Sequence, residues 1–189
     1  MDVADYVAAL PQHCPFLEPS VARGMTGWTV YEIVSGARRG AVEAALFYAG
    51  VQAAERIRTL KHHQDGVLAC ENVVFLEQSP DADQRELMAW PHWALKNLYG
   101  PVGVMFGKFS RGATEEDRFG RRIPSPPFSF LPARATIRPL DPKFLTDTPD
   151  LAAVVAAAED DGRDVFRDLP CEWKAVREWA SSLLGPRRR

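Results

Sequence analysis

The feature that most constrains the fold is a long helical pattern in the first third of the chain. Between about residues 40 and 63, apolar side chains recur at the helical period of about 3.6 residues, at Val42, Ala45, Leu46, Ala49, Ala53, Ile57 and Leu60. The intervening positions that face the other way carry Glu43, Gln52, Glu55 and Arg58. An amphipathic helix gains most of its stability by burying its apolar stripe against another element. We therefore expect this helix to pack on a sheet.

Short segments rich in β-branched and aromatic residues supply the strands of that sheet. They lie at 27–34, 72–77, 102–109, and on the two sides of Pro132 at Phe128–Leu131 and Ala135–Leu140. Further helices are expected at 82–98, with a kink or break at Pro91, at Asp150–Asp160 and at about 169–184. The mixed order, with few clean βαβ units, predicts one α+β domain over 1–189, with a mainly antiparallel sheet flanked by helices. The last residues, 186–189, are expected to form a basic tail.

Composition narrows the function classes. The chain has 189 residues, 46% hydrophobic and 25% charged, with a net charge of −2, as is typical of a folded domain. An excess of Lys and Arg, the usual mark of nucleic-acid binding, is missing. The N-terminus lacks the pattern of a signal peptide, and no apolar stretch is long enough to span a bilayer. We expect a cytoplasmic protein without nucleic-acid or membrane partners; the oligomeric state stays open.

The cysteines do not resemble a disulfide framework. Cys14, Cys70 and Cys171 are odd in number and far apart, so all three are predicted to be free thiols. Cys14 follows His13, and a thiolate there could be a nucleophile or a soft metal ligand. The alternative is a buried anchor for the N-terminus, because neighbouring side chains of an extended chain point in opposite directions.

A second candidate is His92, which lies between Trp90 and Trp93. Flat aromatic walls and a neutral imidazole would suit haem iron, which makes His92 the candidate metal ligand. The alternative is ordinary packing of the tryptophans in the core. Arg134 and Arg138 are four residues apart in an apolar segment, which on one strand places them on the same face. Their guanidinium groups would suit cofactor propionates or a substrate carboxylate.

These residues define an expected cavity between the Trp90–Trp93 segment and the strands at 103–109 and 128–138. Phe128, Phe130 and Trp93 would form its walls. Gly103 and Gly107 would let a ligand approach the strand closely. The polar segment 110–126 is expected to be an exposed, mobile loop beside this cavity.

Three segments together resemble a bacterial family of unknown function that occurs mainly in actinobacteria, often near natural-product genes. They are Cys14-Pro15-Phe16, Gly103–Phe109 and Ser125–Leu145, the last reading SPPFSFLPARATIRPLDPKFL. The resemblance covers roughly residues 12–155 and implies no established reaction.

A more distant similarity is to small haemoproteins that N-oxygenate amines or guanidines of amino acids. The Cys-Pro-Phe element and the stretch Phe128–Arg134 carry it, although Leu131 stands where that family has His. The resemblance implies a haem-dependent natural-product oxidoreductase acting on an amino-acid-like substrate, with His92 or His13 as the iron ligand. The alternatives are a cofactor-free binding or pathway accessory protein with an Arg-lined anion pocket, and a thiol enzyme built on Cys14.

Overall fold

A four-stranded sheet organises the computed structural model, which describes residues 3–14, 16–33, 37–77, 83–117 and 119–183. Within these ranges the α-helices are α1 (Val3–Ala9), α2 (Leu17–Ala22), α3 (Arg39–Leu60), α4 (Gln84–Tyr99), α5 (Pro149–Ala156) and α6 (Trp173–Ser182). The strands are β1 (Thr26–Ile33), β2 (Cys70–Glu77), β3 (Val104–Phe106), β4 (Glu115–Glu116), β5 (Arg122–Ile123) and β6 (Ser129–Ala135). The predicted basic tail lies outside the described residues.

The sheet has the strand order β1-β2-β6-β3. The neighbours β1 and β2 are parallel, and α3 supplies the connection that two parallel strands require. The pairs β2–β6 and β6–β3 are antiparallel. The prediction of an α+β fold with a mainly antiparallel sheet flanked by helices is therefore confirmed.

The prediction of two strands interrupted at Pro132 is wrong, because β6 runs through this proline. Gly107 donates its backbone N–H to the Pro132 carbonyl over 2.9 Å, but Pro132 has no N–H to return the bond. The missing hydrogen bond interrupts the partner strand rather than β6, because β3 ends at Phe106. Beyond this point the same register continues in a single bridge between Phe109 and Phe130. The chain after Ala135 turns into the short 3₁₀-helix Asp141–Phe144, so the expected strand Ala135–Leu140 does not form.

Helix α3 packs its apolar stripe on the sheet as predicted. Val42, Leu46, Ala49, Ala53 and Ile57 are buried, and Leu60 is partly buried against the same cluster. Ala45, which the pattern also assigns to this stripe, is exposed.

The polar face of α3 is less exposed than the sequence suggests. Glu43 is fully buried and accepts hydrogen bonds from Arg39 Nε (2.8 Å), Arg177 (3.2 Å) and the Trp173 indole (3.2 Å). Helix α6 covers this side of α3 and brings two of the three donors. Glu43, which the sequence places on the polar face of α3, is therefore buried and paired rather than exposed.

Helix α4 is continuous through Pro91, which lies buried inside it, so the predicted break does not occur. The Asp83 side chain caps its first turn by accepting from the Glu86 N–H over 3.1 Å. Together with α3 and α6, α4 fills one face of the sheet. None of the helices in the described ranges is long and apolar enough to cross a membrane.

The segment 110–126 is not an irregular loop throughout, because β4 and β5 pair as a small hairpin within it. Asp117 organises the turn: its carboxylate accepts from the Phe119 and Arg121 N–H groups and from Arg121 Nε. Most of the hairpin is exposed, as expected. The mobility of this segment stays a prediction.

Candidate functional site

The second face of the sheet carries the candidate site. In β2 and β6 the side chains alternate, so Cys70 and Arg134, and likewise Asn72 and Pro132, lie opposite each other on this face. The N-terminal segment covers part of it, where Tyr6 and Leu10 pack with Val74, Phe128 and Phe130. Beyond this cluster, Leu145 and the α5 residues Leu151 and Val155 pack against Met105 of β3, and a cavity remains on this face.

The cavity has a volume of about 480 Å³ and runs over this face and past the edge of β3 to helix α4. Its apolar walls include Phe16, Trp28, Met105, Phe109, Phe130 and Leu145. Phe109 and Phe130 stack with a centroid separation of 4.8 Å and an interplanar angle of 6°. The volume and the mainly apolar lining are those of small-molecule binding sites, which have roughly 300–1,000 Å³.

Arg134 lines this cavity but already has an anionic partner. Its NH1 and NH2 groups donate to the two carboxylate oxygens of Asp141 at 2.9 and 2.5 Å, and NH1 also donates to the Ala135 carbonyl at 2.9 Å. The buried Asp141 carboxylate accepts in addition from the Ile137 N–H at 2.6 Å. The guanidinium lies 5.5 Å from the ring centroid of Phe16. Arg134 thus joins β6 to the following turn, and its charge is compensated within the protein.

Arg138 does not share this cavity. It lies beyond the end of β6 in an exposed turn, so the same-face rule for strands does not apply to it. It lines a separate cleft of about 290 Å³ with Lys61, His62 and Asp160, in which Lys61 and Asp160 already form an ion pair of 2.6 Å. The prediction that Arg134 and Arg138 lie on the same face of one strand is therefore wrong, and the two side chains line different clefts.

His92 lies near the cavity but does not line it. Its ring is held against the edge of the sheet, where Nε2 donates to the Phe106 carbonyl over 3.2 Å. Burial, together with the charges of Lys96 and Lys108, lowers the pKa of His92 to about 3, so the imidazole is neutral. Its role here is to satisfy a carbonyl of an edge strand.

The aromatic residues predicted as cavity walls are divided between the two faces of the sheet. Trp93 is in the core, where its indole N–H donates to the Ala180 carbonyl over 3.0 Å. Phe128 belongs to the N-terminal cluster and packs edge-on against Tyr6. Of the predicted walls, only Phe130 lines the cavity. The cavity is therefore not bounded by the Trp90–Trp93 segment.

The two predicted glycine positions have different roles. Gly103 follows a 3₁₀ turn with a φ of 78°, a backbone conformation that favours glycine, and it lies outside β3. Gly107 lines the cavity, but its lack of a side chain serves Pro132: a Cβ there would lie 2.9 Å from the proline ring.

All three cysteines are free thiols, as predicted. Cys14 and Cys70 both line the cavity. Burial raises the pKa of Cys70 to about 12, so this thiol is protonated at neutral pH. His13 turns away to the hairpin, where its Nδ1 lies 3.1 Å from the Asp117 carboxylate. Its imidazole is therefore committed to an acidic partner.

Two lysines that the sequence did not single out complete the lining. Lys96 of α4 and Lys108, just beyond β3, lie where the cavity passes the edge of the sheet. Within the described ranges neither ammonium group makes a hydrogen bond or an ion pair. Burial and the charge of Lys108 lower the pKa of Lys96. Burial and the charge of Arg85 lower the pKa of Lys108, and nearby carboxylates partly oppose this second shift.

The positive charge of these two lysines is a polar feature of the cavity, whose lining also includes the Glu115 carboxylate. Sequence patterns could not have found it, because the two lysines are ordinary residues until the fold brings them together.

Comparisons with family models, with curated proteins and with solved structures found no match to this chain. The resemblances drawn from its motifs therefore stay hypotheses, and the functional argument rests on the geometry of the cavity.

Proposed function

We propose that this protein binds a small, amino-acid-like organic anion in the cavity, with the apolar body against the aromatic walls and a carboxylate at Lys96 and Lys108. The observation that carries the proposal is a cavity of about 480 Å³ whose lining holds two lysines that make no hydrogen bond or ion pair within the described ranges. A buried charge without a partner is costly, and an anionic ligand would offset that cost.

The proposal keeps the anion-binding hypothesis but changes its residues. Arg134 is already paired with Asp141, and Arg138 faces another cleft. A ligand carboxylate would have to compete with Asp141 for Arg134, whereas it would compete with no protein carboxylate hydrogen-bonded to Lys96 or Lys108.

The haem hypothesis fits the cavity less well. The iron ligand that it requires is a histidine, and among the described lining residues there is none; His92 and His13 are hydrogen-bonded to the Phe106 carbonyl and to Asp117. Cys14, Cys70 and Met105 are the sulfur-bearing lining residues, and Cys70 is protonated at neutral pH. We therefore place haem-dependent N-oxygenation second and derive no step through haem.

Calorimetric titration with phenyllactate, an aromatic carboxylate, tests the proposal. We expect saturable binding that weakens at least about tenfold in Lys108→Gln, as expected for the loss of one charge-assisted hydrogen bond. Lys174→Gln, which removes an exposed lysine of α6, is the matched control and should bind like the wild type. Equal affinity of Lys108→Gln and the wild type would refute the assignment of the anion to these two lysines.

The absorbance spectrum of the protein, purified after expression with a haem precursor, separates the two functions. We expect no Soret band. A Soret band that disappears in Cys14→Ser or His13→Ala would instead favour the haem hypothesis and identify the ligand.

A further inference from the structure

Lys96 has an environment that an amine needs to act as a nucleophile rather than only as a cation. It is partly buried, it lines a cavity large enough for a small molecule, and a second lysine lines the same part of that cavity. The amine of Lys96 makes no hydrogen bond within the described ranges, and it is not among the fully buried unpaired atoms, which are the hydroxyls of Tyr6 and Thr136. It is therefore accessible, and its side chain lines the cavity.

We propose that Lys96 condenses with the keto group of an α-keto acid bound in the cavity, and that Lys108 holds the carboxylate of the same molecule. This inference rests on the proposed function and specifies its ligand: a molecule with an amino-acid skeleton that carries a carbonyl in place of the amine.

The chemistry balances without an oxidant or a reductant. The neutral amine of Lys96 adds to the keto carbon, so that a C–N bond forms while the C=O double bond opens and a proton moves from nitrogen to oxygen. The carbinolamine then loses water, which breaks the C–O bond and leaves an imine. The imine nitrogen, when protonated, withdraws electrons from the neighbouring carbon and so activates the bonds to it.

The electrostatics around the pair favour a neutral amine at Lys96. His92, which lies one turn before Lys96 on α4, is neutral. Lys108 is the charged neighbour that disfavours protonation of Lys96. A lysine next to another cation in an apolar site is a known way of making the amine nucleophilic at moderate pH.

The surroundings of Lys108 favour a different role. It has acidic groups near it from two elements, Asp83 and Glu86 at the start of α4 and Glu115 in β4, which oppose the effects of burial and of Arg85. Lys108 is thus the better candidate to remain an ammonium group and to hold the carboxylate.

Borohydride trapping of the full-length protein with phenylpyruvate tests this proposal. Reduction of the imine should leave a stable adduct, which peptide mapping by mass spectrometry should place on Lys96. The adduct should be absent in Lys96→Arg, because arginine stays protonated, and present in the matched control Lys174→Arg. Circular dichroism of each variant establishes that it is folded.

The second variant removes the neighbouring charge instead of the nucleophile. In Lys108→Gln the pKa of Lys96 should rise, so the pH profile of trapping should move to higher pH and trapping at pH 7.5 should fall roughly tenfold, the effect of about one pKa unit. A purely structural role of Lys108 would lower trapping without moving the profile.

Phenyllactate, which has the ring and the carboxylate but no keto group, separates the possible failures. If phenyllactate binds and phenylpyruvate is not trapped on Lys96, the imine is refuted and the binding function stands. If neither molecule binds, both proposals fail. An adduct spread equally over Lys96 and exposed lysines such as Lys174 also refutes the inference.

Discussion

Replacing Asp141 by asparagine removes the partner of a buried arginine and tests the structural role assigned to Arg134. The wild-type carboxylate receives two hydrogen bonds from the guanidinium and one from the Ile137 N–H, and it is fully buried. Asparagine has nearly the same shape, so the substitution changes charge and hydrogen bonding rather than packing.

The expected cost follows from what each side chain loses. Removing one member of a buried ion pair costs about 3–5 kcal/mol when the other member stays buried. The Arg134 side chain is 26% exposed, toward the cavity, and can recover some hydration there. The amide oxygen of the introduced asparagine, in the place of Oδ2, can still accept two of the three bonds, whereas its NH2 group cannot accept the bond from Arg134 NH2. We therefore expect a loss of about 2–3 kcal/mol in the free energy of unfolding, which corresponds to roughly 4–12 °C in Tm.

Urea unfolding followed by circular dichroism measures this difference. The midpoint should fall while the slope stays the same, since the substitution leaves the surface exposed on unfolding unchanged. Asp147→Asn, in an exposed turn a few residues on, is the matched control and should change stability by less than about 0.5 kcal/mol. If Asp141→Asn is as stable as this control, Arg134 is not held by Asp141 and remains free to bind a ligand.

Three further predictions follow from buried polar groups. Tyr6→Phe removes a buried hydroxyl without a partner and should raise the free energy of unfolding by about 1 kcal/mol in urea melts, whereas Tyr99→Phe, which loses a bond to a glutamate, should lower it by a similar amount. Burial alone would raise the pKa of Asp160, but hydrogen bonds from Arg58 and Lys61 outweigh it and hold this pKa below its usual value. The stability that Asp160 contributes is therefore present above the pKa of its unfolded state and is lost as the pH falls from there through the lower pKa of the folded state. The Tm of Asp160→Asn should consequently fall less than that of the wild type between about pH 5 and 2. With its pKa raised to about 12, Cys70 should resist iodoacetamide at pH 8 while the exposed Cys171 reacts; equal labelling by mass spectrometry would contradict this.

The parts of the fold that the sequence predicts are those with a local periodic signal. The stripe of α3 and the β-branched segments of β1 and β2 each repeat over several residues, and the structure has them within a few positions of the prediction. Pro132 shows the limit of local rules. A proline disfavours a central strand, but here the donor that it lacks faces β3, which ends at that level, so the cost is one missing bond at the end of an edge strand.

Only part of the candidate site could be predicted, because which helix residues and which face of the sheet line the cavity depends on contacts between distant segments. Phe130, Pro132 and Arg134 were identifiable as one face of a strand. Nothing local indicates that three helices cover the opposite face and that the N-terminal segment reaches this one. The partner of Arg134 could have been predicted from the sequence, since Asp141 follows seven residues later at the start of a turn. An acidic residue just beyond a strand that carries a buried arginine is a signal that could have been used.

The position of the cavity follows from how unequally the two faces of the sheet are covered. Helices α3, α4 and α6 bury one face of the sheet, and their apolar side chains form one cluster with it. On the other face, α1 and the turn after it cover the end of the sheet near Val74 and Phe130. At the opposite end of the same strands, near Cys70 and Arg134, the start of α2 and the 3₁₀-helix Asp141–Phe144 line the cavity, which runs toward the edge of β3. An apolar sheet face that is incompletely covered costs the protein stability unless a ligand completes the cover. Lys96 and Lys108 lie at this edge and make no ion pair within the described ranges, which is why we assign the ligand's anionic end to them and its apolar body to the sheet.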